Sequence, residues 1–190
     1  MIKIGILGDI GSGKSYAAQN FGYPVFDADR EVAKLYQQNR NIFNKLKGKL
    51  PKYIHSFPIK KKEISNAILG NKNNLNKIVR IVHYEIRKKL KNFLKKNKNK
   101  KIVILDIPLL LENKINKKED VLVYVQSKKS SISKNLKKRK NFNPKLLNKF
   151  KAIQLPISYK KKKSQFIIKN NFTKKSVNDG IKDILKKLNK

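Results

Sequence analysis

Apolar positions along this chain fall into two kinds of run. Met1 to Leu7 reads Met-Ile-Lys-Ile-Gly-Ile-Leu, short, largely apolar, rich in β-branched residues and ended by Gly8. A run without polar alternation that stops at a glycine predicts a buried parallel strand meeting a turn. Val25-Phe26, closed by Asp27-Ala28-Asp29, repeats the pattern, as do Lys101 to Leu105, Val121 to Val125 and, more weakly, Gln165 to Ile168. Between these runs the apolar spacing becomes helical. From Lys14 the series Ser15, Ala17, Ala18 and Phe21 winds on one face until Gly22 and Pro24 stop it. Residues 30 to 100 are dominated by helical spacing, with Ile78, Val79, Val82, Ile86, Leu90 and Phe93 on one stripe, and Val177 to Leu188 closes the chain with Ile181, Ile184, Leu185 and Leu188 inward. Strands alternating with helices predict an α/β fold of three layers around a five-stranded parallel sheet, with residues of about 30–100 as a helical insertion. No internal repeat or linker interrupts it, so residues 1–190 read as a single domain.

Composition narrows the class. The chain has 190 residues, 39% hydrophobic, which is enough for a core. It has no cysteine and two histidines, His55 and His83, which excludes disulfides, thiolate zinc and a cysteine nucleophile. No apolar run reaches the roughly 18 residues of a membrane span, and the amino end lacks the order of a secretory signal, so a cytoplasmic protein without a membrane partner is expected. Lys and Arg number 48 against 12 Asp and Glu, a formal charge of +36. Such charge attracts phosphate backbones, yet the lysines are scattered beside Asn and Ile rather than gathered in one patch. The runs at Lys60 to Lys62, Lys95 to Lys101, Lys137 to Lys140 and Lys160 to Lys163 read as solvated faces and loops. The expectation is weak, salt-sensitive attachment to nucleic acid and no specific nucleic-acid partner.

The strongest motif is Gly8-Asp9-Ile10-Gly11-Ser12-Gly13-Lys14-Ser15, which meets every fixed position of G-x-x-x-x-G-K-[ST]. Phosphates need converging backbone N–H groups, and glycines let the chain curl closely around them. With a strand before and a helix after, this is a nucleotide-binding P-loop, in which Lys14 reaches the β- and γ-phosphates and Ser15 holds Mg²⁺. Asp27 and Asp29 follow the second strand, at the edge where parallel sheets bind ligands. A carboxylate there can take the proton of an attacking hydroxyl. Asp29 can equally cap a helix over Arg30 to Tyr36. Asp106 ends the third strand, where it can hold Mg²⁺ or be a solvated strand end. Arg139, in a polar helical stretch between the fourth and fifth strands, can close over ATP or be one more solvated charge.

Together these residues resemble the dephospho-coenzyme A kinase family, within the nucleoside-monophosphate-kinase-like group of P-loop kinases. The resemblance rests on Ile4 to Ser15, on Val25-Phe26-Asp27-Ala28-Asp29, on Asp106-Ile107-Pro108-Leu109-Leu110-Leu111-Glu112, and on Val121 to Val125, Arg139, Gln154-Leu155-Pro156 and Ile167 to Asn171. It departs from the family pattern at Asp9, at Tyr84 and at Asn135. It implies transfer of a phosphoryl group from ATP to the ribose 3′-hydroxyl of dephospho-coenzyme A, by a monomer or small homo-oligomer. Implied nucleotide contacts are Asp9, Ile10, Gly11, Ser12, Gly13, Lys14, Ser15 and Tyr16. Asp29 looks like the catalytic carboxylate and Arg139 like the arginine of a lid over about 128–160. His83 falls at a substrate-side position, although a packed helix histidine fits the residues too, and Pro108 and Leu109 would wall the substrate pocket. Ser15 and Asp106 are the implied metal ligands. The rival readings are a kinase for a nucleoside monophosphate or other small metabolite, and a basic nucleic-acid-binding P-loop protein.

Overall fold

The computed structural model of the chain describes residues 1–140 and 142–188. The elements run β1 (Ile2–Gly8), α1 (Lys14–Asn20), β2 (Val25–Asp27), α2 (Ala28–Gln38), α3 (Arg40–Lys49), α4 (Lys61–Gly70), α5 (Asn74–Lys96) and β3 (Ile102–Asp106). Then follow β4 (Val121–Gln126), α6 (Lys129–Lys137), α7 (Pro144–Ala152), α8 (Ile157–Lys163), β5 (Phe166–Lys169) and α9 (Lys174–Leu188). The expected lid includes residue 141, which lies outside the described residues. Among the described residues no helix is long and apolar enough to cross a membrane.

The chain forms two compact units. The first comprises Met1–Asp27, Asn97–Phe142 and Gln154–Lys190. All five strands lie in it, in the order β2-β3-β1-β4-β5 and parallel throughout. The five strand runs expected from sequence are therefore all present, within a residue or two at their ends. Alternate residues of β1 serve opposite faces. Ile4 and Ile6 join Ala17, Ala18, Phe21, Ile104, Val123, Val125, Ile168, Val177 and Ile181 in one buried cluster, which seats α1 and α9. On the other face a Cβ at Gly5 would meet Leu110 at 2.5 Å and Leu122 at 3.0 Å, so the missing side chain lets the segment after β3 lie flat on the sheet. From β1 the chain crosses to the edge strand β2, comes back to β3 beside β1, and then passes to the other side through β4 and β5. The loop after β1 thus sits where the winding reverses, which is where open α/β sheets bind ligands.

The second unit comprises Ala28–Lys96 and Asn143–Ile153 and is helical. Its spine is α5, whose buried Leu75, Ile78, Val82, Ile86 and Leu90 recur at helical spacing. Against it pack α2, α3 and α4, and α7 packs on α4. Asn74 is buried at the start of α5 and donates its amide to the Ala67 carbonyl at 2.8 Å. Two boundaries differ from the sequence reading. Helix α2 begins at Ala28 rather than Arg30, so Asp29 lies in its first turn and is not its cap. Helix α6 ends at Lys137, which leaves Arg139 in the exposed turn beyond it rather than inside a helix.

Candidate active site

The P-loop is held in shape by hydrogen bonds that its own sequence supplies. Gly11 and Gly13 have φ of 83° and 89°, in the left-handed region where a Cβ is strained. Space forbids side chains there as well, since a Cβ at Gly11 would meet Leu136 at 2.8 Å and one at Gly13 would collide with the Asn170 amide. The Ser12 N–H donates to the Asp9 carbonyl at 3.1 Å, closing a turn. The Asp9 carboxylate accepts from the Ile10 N–H at 2.7 Å, so this acidic residue is turned onto the backbone of its own loop.

The Ser12 carbonyl accepts two hydrogen bonds, from the Ser127 hydroxyl and the Asn170 side-chain amide, each at 2.9 Å. These donors come from just beyond β4 and β5. In a trans peptide the C=O and the next N–H point in opposite directions, so fixing this carbonyl from behind aims the Gly13 N–H outward. Asn170 is itself buried and held by the Phe172 N–H at 2.7 Å. Helix α1 starts at Lys14 with, among the described residues, no side-chain cap on its N-terminal amides. Lys14 Nζ donates to the carbonyls of Asp9 at 2.8 Å and Gly8 at 3.3 Å, and so lies across the loop. The Ser12 hydroxyl is buried with no hydrogen-bond partner among the described residues.

Asp27 and Asp106 are register partners on the neighbouring strands β2 and β3, so their backbones end side by side. Asp106 is buried, 5% exposed. Burial pushes its carboxyl up, the Ser15 hydroxyl and Lys14 pull it down, and the Asp27 charge pushes it up again, for a net rise. Two carboxylates and a hydroxyl supply only oxygen donors, and among the described residues no group of three or more acidic or histidine side chains could cage a metal alone. A partial oxygen set suits Mg²⁺, which keeps water and substrate phosphates in its shell. A dication there would also offset the burial and mutual repulsion of the two carboxylates. Tyr16 is exposed on α1, 44%.

Asp29 and His83 belong to the second unit. Asp29 is exposed in the first turn of α2. Its charge reaches Tyr36, whose hydroxyl is pushed up by burial first and by Asp29 second. His83 is half-buried on α5, and its Nε2 is buried with no partner among the described residues. Burial and the Arg87 charge both push this imidazole below its usual value, so it is neutral at pH 7. Glu63 organises the loop before α4. Its carboxylate accepts from the His55 and Ser56 N–H groups at 2.7 and 2.9 Å, the Ser56 hydroxyl at 2.7 Å and the Lys60 N–H at 2.9 Å. Burial pulls this carboxyl up, but the four donors outweigh it and hold it at about 2.

Pro108 and Leu109 are half-buried in the turn after β3. One reading of that region is corrected. Lys160 heads a lysine run expected to be solvated, yet it is 2% exposed and pairs with Glu112 at 2.7 Å. The sequence reading also missed the tether from Asn170. Its signal was the buried-strand run that ends beside it, but nothing local tells which peptide such an amide will reach.

The family model described as dephospho-CoA kinase matches residues 2–176. Two curated relatives named dephospho-CoA kinase, from Wolbachia pipientis wMel and from the Wolbachia of Brugia malayi, are 34% and 32% identical. Each alignment covers 97% or more of both chains. Among solved structures, the crystal structure of TT1252 from Thermus thermophilus matches with a TM-score of 0.78 at 25% identity, covering 98% of this chain and 97% of that one. Dephospho-CoA kinase from Campylobacter jejuni shares the fold at a TM-score of 0.61 and 20% identity, over 98% and 96% of the two chains. With its P-loop at the reversal point of a five-stranded parallel sheet and its sequence matched almost end to end, the chain belongs to the dephospho-CoA kinase family.

Proposed function

We propose that the protein transfers the γ-phosphoryl group of ATP to the ribose 3′-hydroxyl of dephospho-coenzyme A, releasing ADP and coenzyme A. The observation that carries this reading is the segment Asp106-Ile107-Pro108-Leu109-Leu110-Leu111-Glu112. Its first carboxylate stands beside Asp27 and hydrogen-bonds Ser15, and its apolar middle follows directly. The P-loop accounts for the triphosphate, and the names of the relatives support the acceptor.

Each residue then has a task. Lys14 trades its two loop carbonyls for phosphate oxygens and offsets charge on the moving phosphoryl group. The loop amides, with Gly13 aimed outward, cradle the phosphates. Ser15 and Asp106, with Asp27 beside them, would hold Mg²⁺, which supplies charge neutralisation at the phosphates when bound. Asp29 takes the proton of the ribose hydroxyl as the new P–O bond forms and the bond to ADP breaks. Its neighbour Tyr36 stays protonated throughout the neutral range. Arg139, exposed in the turn after α6, brings positive charge to the transferring group. Neutral His83 offers its Nε2 to the acceptor, and Pro108 and Leu109 supply apolar surface.

A coupled ADP-release assay with dephospho-coenzyme A, run beside a panel of nucleoside monophosphates and small alcohols, tests the reading. ADP release that needs dephospho-coenzyme A supports it. Turnover of a mononucleotide without turnover of dephospho-coenzyme A overturns it in favour of a different small-metabolite kinase.

A further inference from the structure

Lys160 on α8 and Glu112 after β3 are almost sealed from water, with side chains 3% and 9% exposed. Lys160 Nζ donates to Glu112 Oε1 at 2.7 Å and to the Gln154 side-chain oxygen at 2.9 Å. The same Glu112 oxygen accepts from the Leu155 N–H at 3.0 Å. The other, Oε2, is buried with no hydrogen-bond partner among the described residues. All four residues lie in the first unit. A buried ion pair is a poor way to gain stability, because desolvation offsets most of its attraction and an apolar pair of equal volume does as well or better. A pair that also leaves one carboxylate oxygen without a partner is poorer still. Its distinctive property is direction, since two donors meet at one Glu112 oxygen and the Lys160 ammonium is held a second time by Gln154.

The ends joined are informative. Glu112 closes the segment that starts at Asp106 and contains Pro108 and Leu109. Gln154 and Leu155 are the first residues of the first unit after the chain has passed through α7. The P-loop is anchored separately, by Ser127 and Asn170 on the Ser12 carbonyl. The unit therefore has one tether for the phosphate cradle and another for the segment after β3. We infer that Glu112, Lys160 and Gln154 are positioning residues that set the acceptor-side segment Pro108 to Leu111, independently of the nucleotide loop. This rests on the proposed acceptor-binding role of that segment.

The test is the double variant Glu112→Gln with Lys160→Met, which removes both charges yet keeps an oxygen for the Leu155 N–H. We expect a thermal midpoint within about 3 °C of the parent. We further expect a KM for dephospho-coenzyme A raised about tenfold, with the KM for ATP within about twofold. A stable double variant with both KM values unchanged overturns the inference, as do equal rises in both. If the double variant does not fold, Lys160→Arg keeps the charge and reshapes the donor, and the same split or its absence decides. Should the unmodified protein fail to phosphorylate dephospho-coenzyme A, the proposed function falls, and amide hydrogen exchange without substrate decides the tether. Faster exchange confined to residues 107–112 and 154–156 in the variant supports it, and exchange spreading equally to residues 8–15 overturns it.

Discussion

The two compact units assemble their chemistry in opposite ways. In the first, the phosphate cradle is eight consecutive residues bent by Gly11 and Gly13, and the carboxylates beside it are the ends of adjacent strands. In the second, Asp29 and Tyr36 on α2, Glu63 on α4 and His83 on α5 stand on three helices, which the stripe on α5 gathers into one core. A site made from one loop depends on backbone conformation, whereas a site made from several helices depends on packing. Damage to the first should abolish chemistry with little loss of stability, and damage to the second should show in stability as well.

The largest effect expected from one side chain is that of Lys14→Ala. Turnover should fall about 10³-fold and ATP affinity should drop, with the thermal midpoint nearly unchanged. Near-normal kinetics in that variant would break the comparison at its root. Asp29→Asn comes next, with kcat down about 10²-fold or more while the KM for ATP moves little. Equal losses in both would make Asp29 a structural residue of the first turn of α2.

Asp106→Asn sharpens the contrast further, because activity and stability should move apart. Its carboxyl is raised in the folded state, so the folded protein binds that proton more tightly than the unfolded chain. The charged form opposes folding above the raised value, and the opposition fades as pH falls toward the unfolded value of 3.8. The variant should lose turnover yet melt no lower than the parent at pH 7, with its advantage shrinking on acidification. A midpoint well below the parent's at neutral pH would show that the Ser15 hydrogen bond outweighs burial.

The smallest effect belongs to the second unit. Glu63→Gln removes a carboxylate that accepts four hydrogen bonds. Discounted for its partial exposure, the loss in urea denaturation should be about 1 kcal/mol. Since this carboxyl is lowered to about 2, its contribution is full above the unfolded value of 4.5 and fades as pH falls toward 2. The difference between variant and parent should therefore vanish in strong acid.

What the sequence disclosed follows the same division. The strands, the P-loop and the α5 stripe were readable because their information lies in neighbouring residues or at a fixed period. The start of α2 was misplaced because Ala28 and Asp29 suit either a strand end or a first helical turn, and packing in the second unit decides between them. The burial of Lys160 was hidden because its run of four lysines reads as solvent-facing until Glu112 is placed beneath it. Leu155 and Glu112 are 43 positions apart, and no local pattern encodes that meeting. The role of Asn170, 158 positions from Ser12, is invisible for the same reason.

The doubly tethered Ser12 carbonyl has a consequence for how a nucleotide arrives. A mould finished before its occupant appears loses little chain freedom on filling, so association should be a single fast phase without a later isomerisation. Stopped-flow mixing with a fluorescent triphosphate should then give rates that climb linearly with concentration and never level off.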